Sequence, residues 1–88
     1  MRSSARRPFT WERKGDHLVI AGSIDESAKL SELVSHASNG RLVLDLAGVS
    51  FINSIGVREW LRLQQAATDA KVVLELRRVA EVLIHQLN

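Results

Sequence analysis

Apolar residues recur along this chain with a period that changes from block to block, and each change marks an element. Phe9 to Lys14 alternates weakly, with Phe9, Trp11 and Arg13 set against Thr10, Glu12 and Lys14. Charge on both sides and short length predict an edge strand. Gly15-Asp16 supplies a turn, and His17 to Ile24 (HLVIAGSI) reads as a second strand that forms a hairpin with the first. Gly22, within that strand, predicts a bulge or a close approach of another backbone segment. The period then becomes helical. Leu30, Leu33, Val34 and Ala37 fall at i, i+3, i+4 and i+7, with Lys29, Glu32 and His36 on the water side. Asp25 stands in the position of an N-cap, and Asn39-Gly40 stops the helix.

The most informative stretch is Leu42 to Trp60, LVLDLAGVSFINSIGVREW. Leu42, Leu44 and Leu46 would face one way and Val43 and Asp45 the other, as in a buried strand. Ala47 to Asn53 reads as a turn, and a helix runs from Ser54 to about Ala67. Either Asn53 or Ser54 can cap it, at an end that carries partial positive charge. Val57, Trp60, Leu61 and Gln64 share a face that Leu63, Ala66 and Ala67 widen, which makes Trp60 a core residue rather than a stacking platform for a ligand. Asp69 and its neighbours turn the chain into a last strand, Lys71 to Leu76 (KVVLEL). Val79, Val82, Leu83 and Leu87 give one more helical stripe. The order is β-β-α-β-α-β-α. It predicts an α/β domain with a four-stranded mixed sheet and three helices, parallel except for the leading hairpin. Leu33, Leu44, Leu61 and Val73 are expected to be buried together.

Composition narrows the function. Eighty-eight residues make one domain. Met1 to Pro8 holds three of the 12 basic residues and no acid, which leaves 9 basic against 10 acidic residues, or −1, in the remainder. Residues 1–8 therefore read as a basic flexible tail and 9–88 as the domain, whose near-neutral balance does not point to nucleic acid. The tail is charged without an apolar run, so it is no signal peptide, and nothing approaches the roughly 20 apolar residues of a membrane span. The absence of cysteine fits a reducing cytoplasm. His17, His36 and His85 are too scattered for a metal site. No glycine-rich phosphate loop is present, and no cofactor is expected. Ile52-Asn53-Ser54-Ile55-Gly56 superficially suggests the strand-to-helix serine of a hydrolase, but Ile52 replaces its first glycine and no histidine and acid accompany it. The chain reads as a protein bound or modified by another protein, not as an enzyme.

The run LDLAGVSFINSIGV resembles the signature of STAS domains, the bacterial anti-sigma-factor antagonists and their relatives, in which a strand ends in an LDLSGVxFxDSSGL pattern. GSIDESAKLSEL is similar to the GxIDxxxxxxL link of the same family. The resemblance implies that Ser54 is the serine a partner kinase phosphorylates. It further implies a partner-binding face made by Asp25, Glu26, Asn53, Ser54, Ile55, Gly56 and Arg58. The chain departs from the pattern at Asn53, where the family has aspartate, and at Ile55, where it has a second hydroxyl. The implied partner is an anti-sigma factor or similar serine kinase, with binding broken by phosphorylation. Two alternatives are an unphosphorylated adaptor subunit, as on a transporter ATPase, and a nucleotide-binding module. The last strand and helix usual in the family are absent from this sequence. Their absence leaves Val72 to Leu76 as an open edge and predicts a homodimer or a sticky surface.

Overall fold

The computed structural model describes residues 7–87, the side chains of residues 86 and 87 excepted. The first six residues of the expected tail, and the side chain of Leu87 in the last predicted stripe, thus lie outside the described residues. The elements are β1 (Thr10–Lys14), β2 (His17–Ile24), a 3₁₀ helix (Leu30–His36), β3 (Arg41–Ile52), α1 (Ser54–Asp69), β4 (Val73–Arg77) and α2 (Glu81–Leu87). They form one sheet in the order β1-β2-β3-β4. β1 is antiparallel to β2, while β2, β3 and β4 are mutually parallel. This is the α/β architecture that the order of elements predicts, with a mixed four-stranded sheet and three helical segments.

The stretch Ala47 to Asn53 corrects the sequence reading, because it is strand as far as Ile52 and not a turn. β2 pairs with β3 along its length, but the registers are unequal: Val19 lies opposite Asp45, and Ile24 opposite Ile52. Two shifts, between Val19 and Ala21 and between Gly22 and Ser23, each let β3 take up one extra residue. Every extra residue reverses the alternation of faces. The core positions therefore run Leu42, Leu44, Leu46 and then Val49 and Ile52, all buried in one cluster. A spacing of three inside a strand carries no period-two signal, which is why it reads as a turn.

The first helical segment is also different. It is a 3₁₀ helix of seven residues that starts at Leu30, with Lys29 at its N-cap and no side-chain cap. Asp25 does not cap it. Asp25 Oδ1 instead accepts from the amide of Ser27 at 3.0 Å and from its hydroxyl at 2.7 Å, closing a local turn four residues earlier. With so short a segment and no cap, the tighter i→i+3 pattern suffices, and Leu30 and Leu33, three residues apart, are both fully buried. Asn39, with φ +55, and Gly40, with φ +75, then turn the chain into β3.

Leu33 and Leu44 are core residues as expected, but Leu61 and Val73 are not: they are 56% and 62% exposed. α1 turns Gly56, Glu59, Trp60, Leu63 and Ala67 inward, which leaves Leu61 on its flank. β4 lies at the sheet edge and sends Val73 to the side opposite Leu74. At Gly22 both expected features occur. The register shifts beside it, and a Cβ there would lie 1.9 Å from the carbonyl oxygen of Pro8. Ser23 donates both its amide, at 3.0 Å, and its hydroxyl, at 2.7 Å, to the Arg7 carbonyl.

β3 carries one buried carboxylate. Asp45, 3% exposed, accepts hydrogen bonds from Arg78 Nε at 3.0 Å, from Arg78 Nη2, and from the amide of Ala47 at 3.1 Å. The hydrogen-bonded guanidinium of Arg78 holds this carboxyl below the usual carboxylate range, against the opposing cost of burial. A depressed folded-state pKa contributes stability that is complete above the unfolded value of about 4 and is lost as pH falls through the lower folded value. Arg78 is itself 73% exposed, so water screens the pair. Arg78→Met is expected to lower stability at pH 7 by about 1–2 kcal/mol. Urea titrations of wild type and variant should converge as the pH falls through the lowered folded-state value, where Asp45 becomes protonated in both. An unchanged difference at low pH would locate the effect in packing rather than in this ion pair.

Candidate functional site

The end of β2 and the start of α1 meet because β2 and β3 finish level, Ile24 opposite Ile52. One residue past β3, Asn53 turns the chain with an extended backbone and caps α1. Its side-chain oxygen accepts from the amide of Gly56 at 2.8 Å, and its carbonyl accepts from Val57 at 2.9 Å. Asn53 in turn donates its own amide to the Ile24 carbonyl at 3.4 Å. That carbonyl oxygen lies where a side chain on Gly56 would begin, 1.9 Å from an ideal Cβ. Glycine is required at position 56 for lack of space, and its φ is not left-handed.

The two residues offered by the sequence as alternative caps thus have separate roles. Asn53 takes the cap. Ser54 becomes the first residue of α1, exposed, and among the described residues its hydroxyl has no hydrogen-bond partner. The amides of Ser54 and Ile55 have no carbonyl four residues back within the helix, so the positive end of α1 faces outward beside that hydroxyl. Ile55 is 40% exposed, so the residue that replaces the family's second hydroxyl presents apolar surface to solvent instead of entering the core. Arg58 is exposed four residues on from Ser54, on the same side of the helix.

Asp25 and Glu26 follow directly on Ile24, which brings their loop to the same end of the sheet. Asp25 is half-buried and holds Ser27 as described, while Glu26 is exposed. The structure therefore gathers the β2 exit loop and the first turn of α1 at one end of the sheet. Glu59 was not singled out by the sequence reading. It is buried beside Trp60 and paired with Arg62 Nη1 at 3.0 Å. The signal was present, since Glu59 stands three residues after buried Gly56 and four before buried Leu63.

Other polar groups lie elsewhere. At the opposite end of β2, Asp16 contacts His17 Nδ1 at 3.2 Å and Arg77 at 3.4 Å. The hydrogen bond to His17 and the charge of Arg77 lower its pKa. His36 lies against the ring of Trp11, with centroids 4.5 Å apart. Among the described residues, no three acidic, histidine or cysteine side chains are grouped to hold a metal, and no helix is long and apolar enough to cross a membrane. No family model matches the chain, and no curated protein matches it.

Two substitutions measure how tightly this end is built. Gly56→Ala must push the Ile24 carbonyl away from α1 and is expected to destabilise the fold by about 2–4 kcal/mol, while Asn53→Ala loses only the cap, about 1 kcal/mol. Chemical denaturation of both gives the ranking, and a Gly56→Ala variant as stable as wild type would show that β2 and α1 do not meet as described.

Proposed function

We propose that the chain is a STAS-like regulatory module that acts in the cytoplasm by binding another protein and resembles an anti-sigma-factor antagonist, with Ser54 as its phosphoacceptor. One observation carries the reading: Asn53 caps α1, which leaves the Ser54 hydroxyl exposed and, among the described residues, unbonded at the helix N-terminus. A serine used as a cap would hold its hydroxyl against the backbone. Ser54 has no such duty, and a kinase can reach it without unwinding the helix. The motif resemblance around Ser54 and Asp25, together with the meeting of those segments at one end of the sheet, supports the same reading.

The physical consequences differ between fold and partner. A phosphate adds about −1.5 to −2 charges at neutral pH. The open amides at the start of α1 and its dipole favour that charge, and Arg58, one turn on, adds a cation on the same side. The fold should therefore survive modification. A partner shaped to the unmodified face, with Asp25 and Glu26 nearby, would have to bury an unpaired dianion, which is costly.

The test uses a serine-kinase-type anti-sigma factor from the same cell, with ATP. The chain is expected to take one phosphate, mapped to Ser54 by mass spectrometry, and Ser54→Ala none. In binding isotherms Ser54→Asp should be weaker than wild type by about tenfold or more, with Ser54→Ala unchanged. The melting temperature of Ser54→Asp should move by no more than about 2 °C, since an acid in the first turn is mildly stabilising. If Ser54→Asp binds as tightly as wild type, the switch fails and a constitutive adaptor takes its place.

A further inference from the structure

The sheet has two edges, and they are unlike. β1 ends in Glu12, Arg13 and Lys14, a run of charge that blunts pairing with another strand. β4, at the other edge, has no consecutive run of charge: Glu75 and Arg77 alternate with the apolar Leu74 and Leu76. Three of the exposed large apolar residues cluster at this side: Val73 and Leu76 on β4, at 62% and 39%, and Leu61 at 56% on the flank of α1. On the α1 face of β4, opposite Val73, runs an open groove of 460 Å³ lined in part by Trp60, Gln64, Thr68, Leu74 and Leu76. Leu61 shares the flank of Gln64 and Thr68, at i, i+3 and i+7.

The backbone of β4 shows which groups are free. Val73 donates its amide to Gly40, on the β3 side. In a parallel ladder alternate residues turn both amide and carbonyl the same way, so Val73, Glu75 and Arg77 bond to β3, and Leu74 and Leu76 point theirs outward. A second strand satisfies these groups when outward-facing residues stand opposite one another. The side chains then select the register. With Glu75 on the two-fold axis, two carboxylates are opposed. With Leu74 on the axis, Lys71 meets Arg77 and Glu75 meets Val73. With Leu76 on the axis, Glu75 meets Arg77 twice, at the closer, non-hydrogen-bonded positions where cross-strand pairs interact best. Pairing ends where Leu74 meets Arg78, whose φ of +46 turns the chain away.

We propose that β4 pairs antiparallel with β4 of a second copy of this chain about a two-fold axis at Leu76, each Glu75 facing Arg77 of the other copy. The two sheets become one of eight strands, and the two α1 helices lie on the same face, their Leu61 flanks turned toward each other over the groove. Glu75 and Arg77 are about 40% exposed; within a protomer Glu75 is bonded to Arg41, and Arg77 lies 3.4 Å from Asp16 and 4.0 Å from Glu75, so both already sit at the surface and neither has to be withdrawn from the core to face a second copy. The inference is independent of any modification at Ser54.

The test exploits charge and the lack of native cysteine. In sedimentation the full chain is expected to dimerise, and Glu75→Arg and Arg77→Glu, each folded by circular dichroism, to weaken the dimer by about tenfold or more. An equimolar mixture of these two variants should recover the dimer, because arginine at 75 then faces glutamate at 77 and Arg77 faces Glu75. Separately, Leu76→Cys should oxidise to a cross-linked dimer, since paired Cα atoms about 5.5 Å apart suit a disulfide. A chain that stays monomeric at high concentration overturns the proposal. So does a mixture that fails to recover the dimer, or cross-linking through Glu75→Cys in preference to Leu76→Cys.

Discussion

The structure depends on fitting eight residues of β3 against six of β2. From Asp45 opposite Val19 to Ile52 opposite Ile24, β3 must dispose of two surplus residues without losing the ladder. It does so by two bulges, and each rotates the following side chains to the other face. The result is that Leu46, Val49 and Ile52 all reach the same core, and that both strands end level. Level ends bring the Ile24 carbonyl against the first turn of α1, and that contact admits only glycine at position 56. The start of α1, its cap and the placement of Ser54 beside the Asp25 loop are consequences of that one pairing.

Much of this was legible in the sequence. β2 runs over the residues its alternation predicts, and α1 begins at Ser54 as its caps indicate. Gly22 marked a place where backbone comes close. What was not legible shares a cause, since it depends on partners distant in sequence. The bulges of β3 are visible only against β2. The exposure of Leu61 and Val73 depends on which side of α1 and which face of β4 meet the rest of the fold, and the spacing of either residue does not give that. Asp45 reads as a polar residue on the far face of a strand, and only the fold shows Arg78 reaching back to it over 33 positions. The choice between Asn53 and Ser54 as cap was local, but both residue types suit the position equally, so side-chain identity alone could not divide them.

The division of labour between neighbouring residues is the recurring device. Asn53 holds the helix, and Ser54 beside it is exposed. Asp25 is committed to Ser27, and Glu26 beside it is left exposed. Asp45 is tied to Arg78, the residue that follows β4, so the link into α2 is fixed to the central strand by a charge pair as well as by the packing of α2 on β3. At Asn53–Ser54 and Asp25–Glu26 one polar residue closes the backbone locally and the adjacent one faces solvent.

α1 connects the two surfaces proposed above, the Ser54 end and the β4 edge, and its length separates them. Ser54 opens the helix, and Leu61 lies seven residues on, a rise of about 10 Å along the axis. That distance is about one Debye length at physiological salt, so a charge added at Ser54 is largely screened where α1 flanks the β4 edge. The helix N-terminus and Arg58 lie nearer to that charge and answer it first. A phosphate on Ser54 should therefore alter what binds at the β2–α1 end while leaving pairing at β4 nearly intact. A dimer built through β4 would then carry two copies of the Ser54 surface, each switched on its own and both held on one continuous sheet.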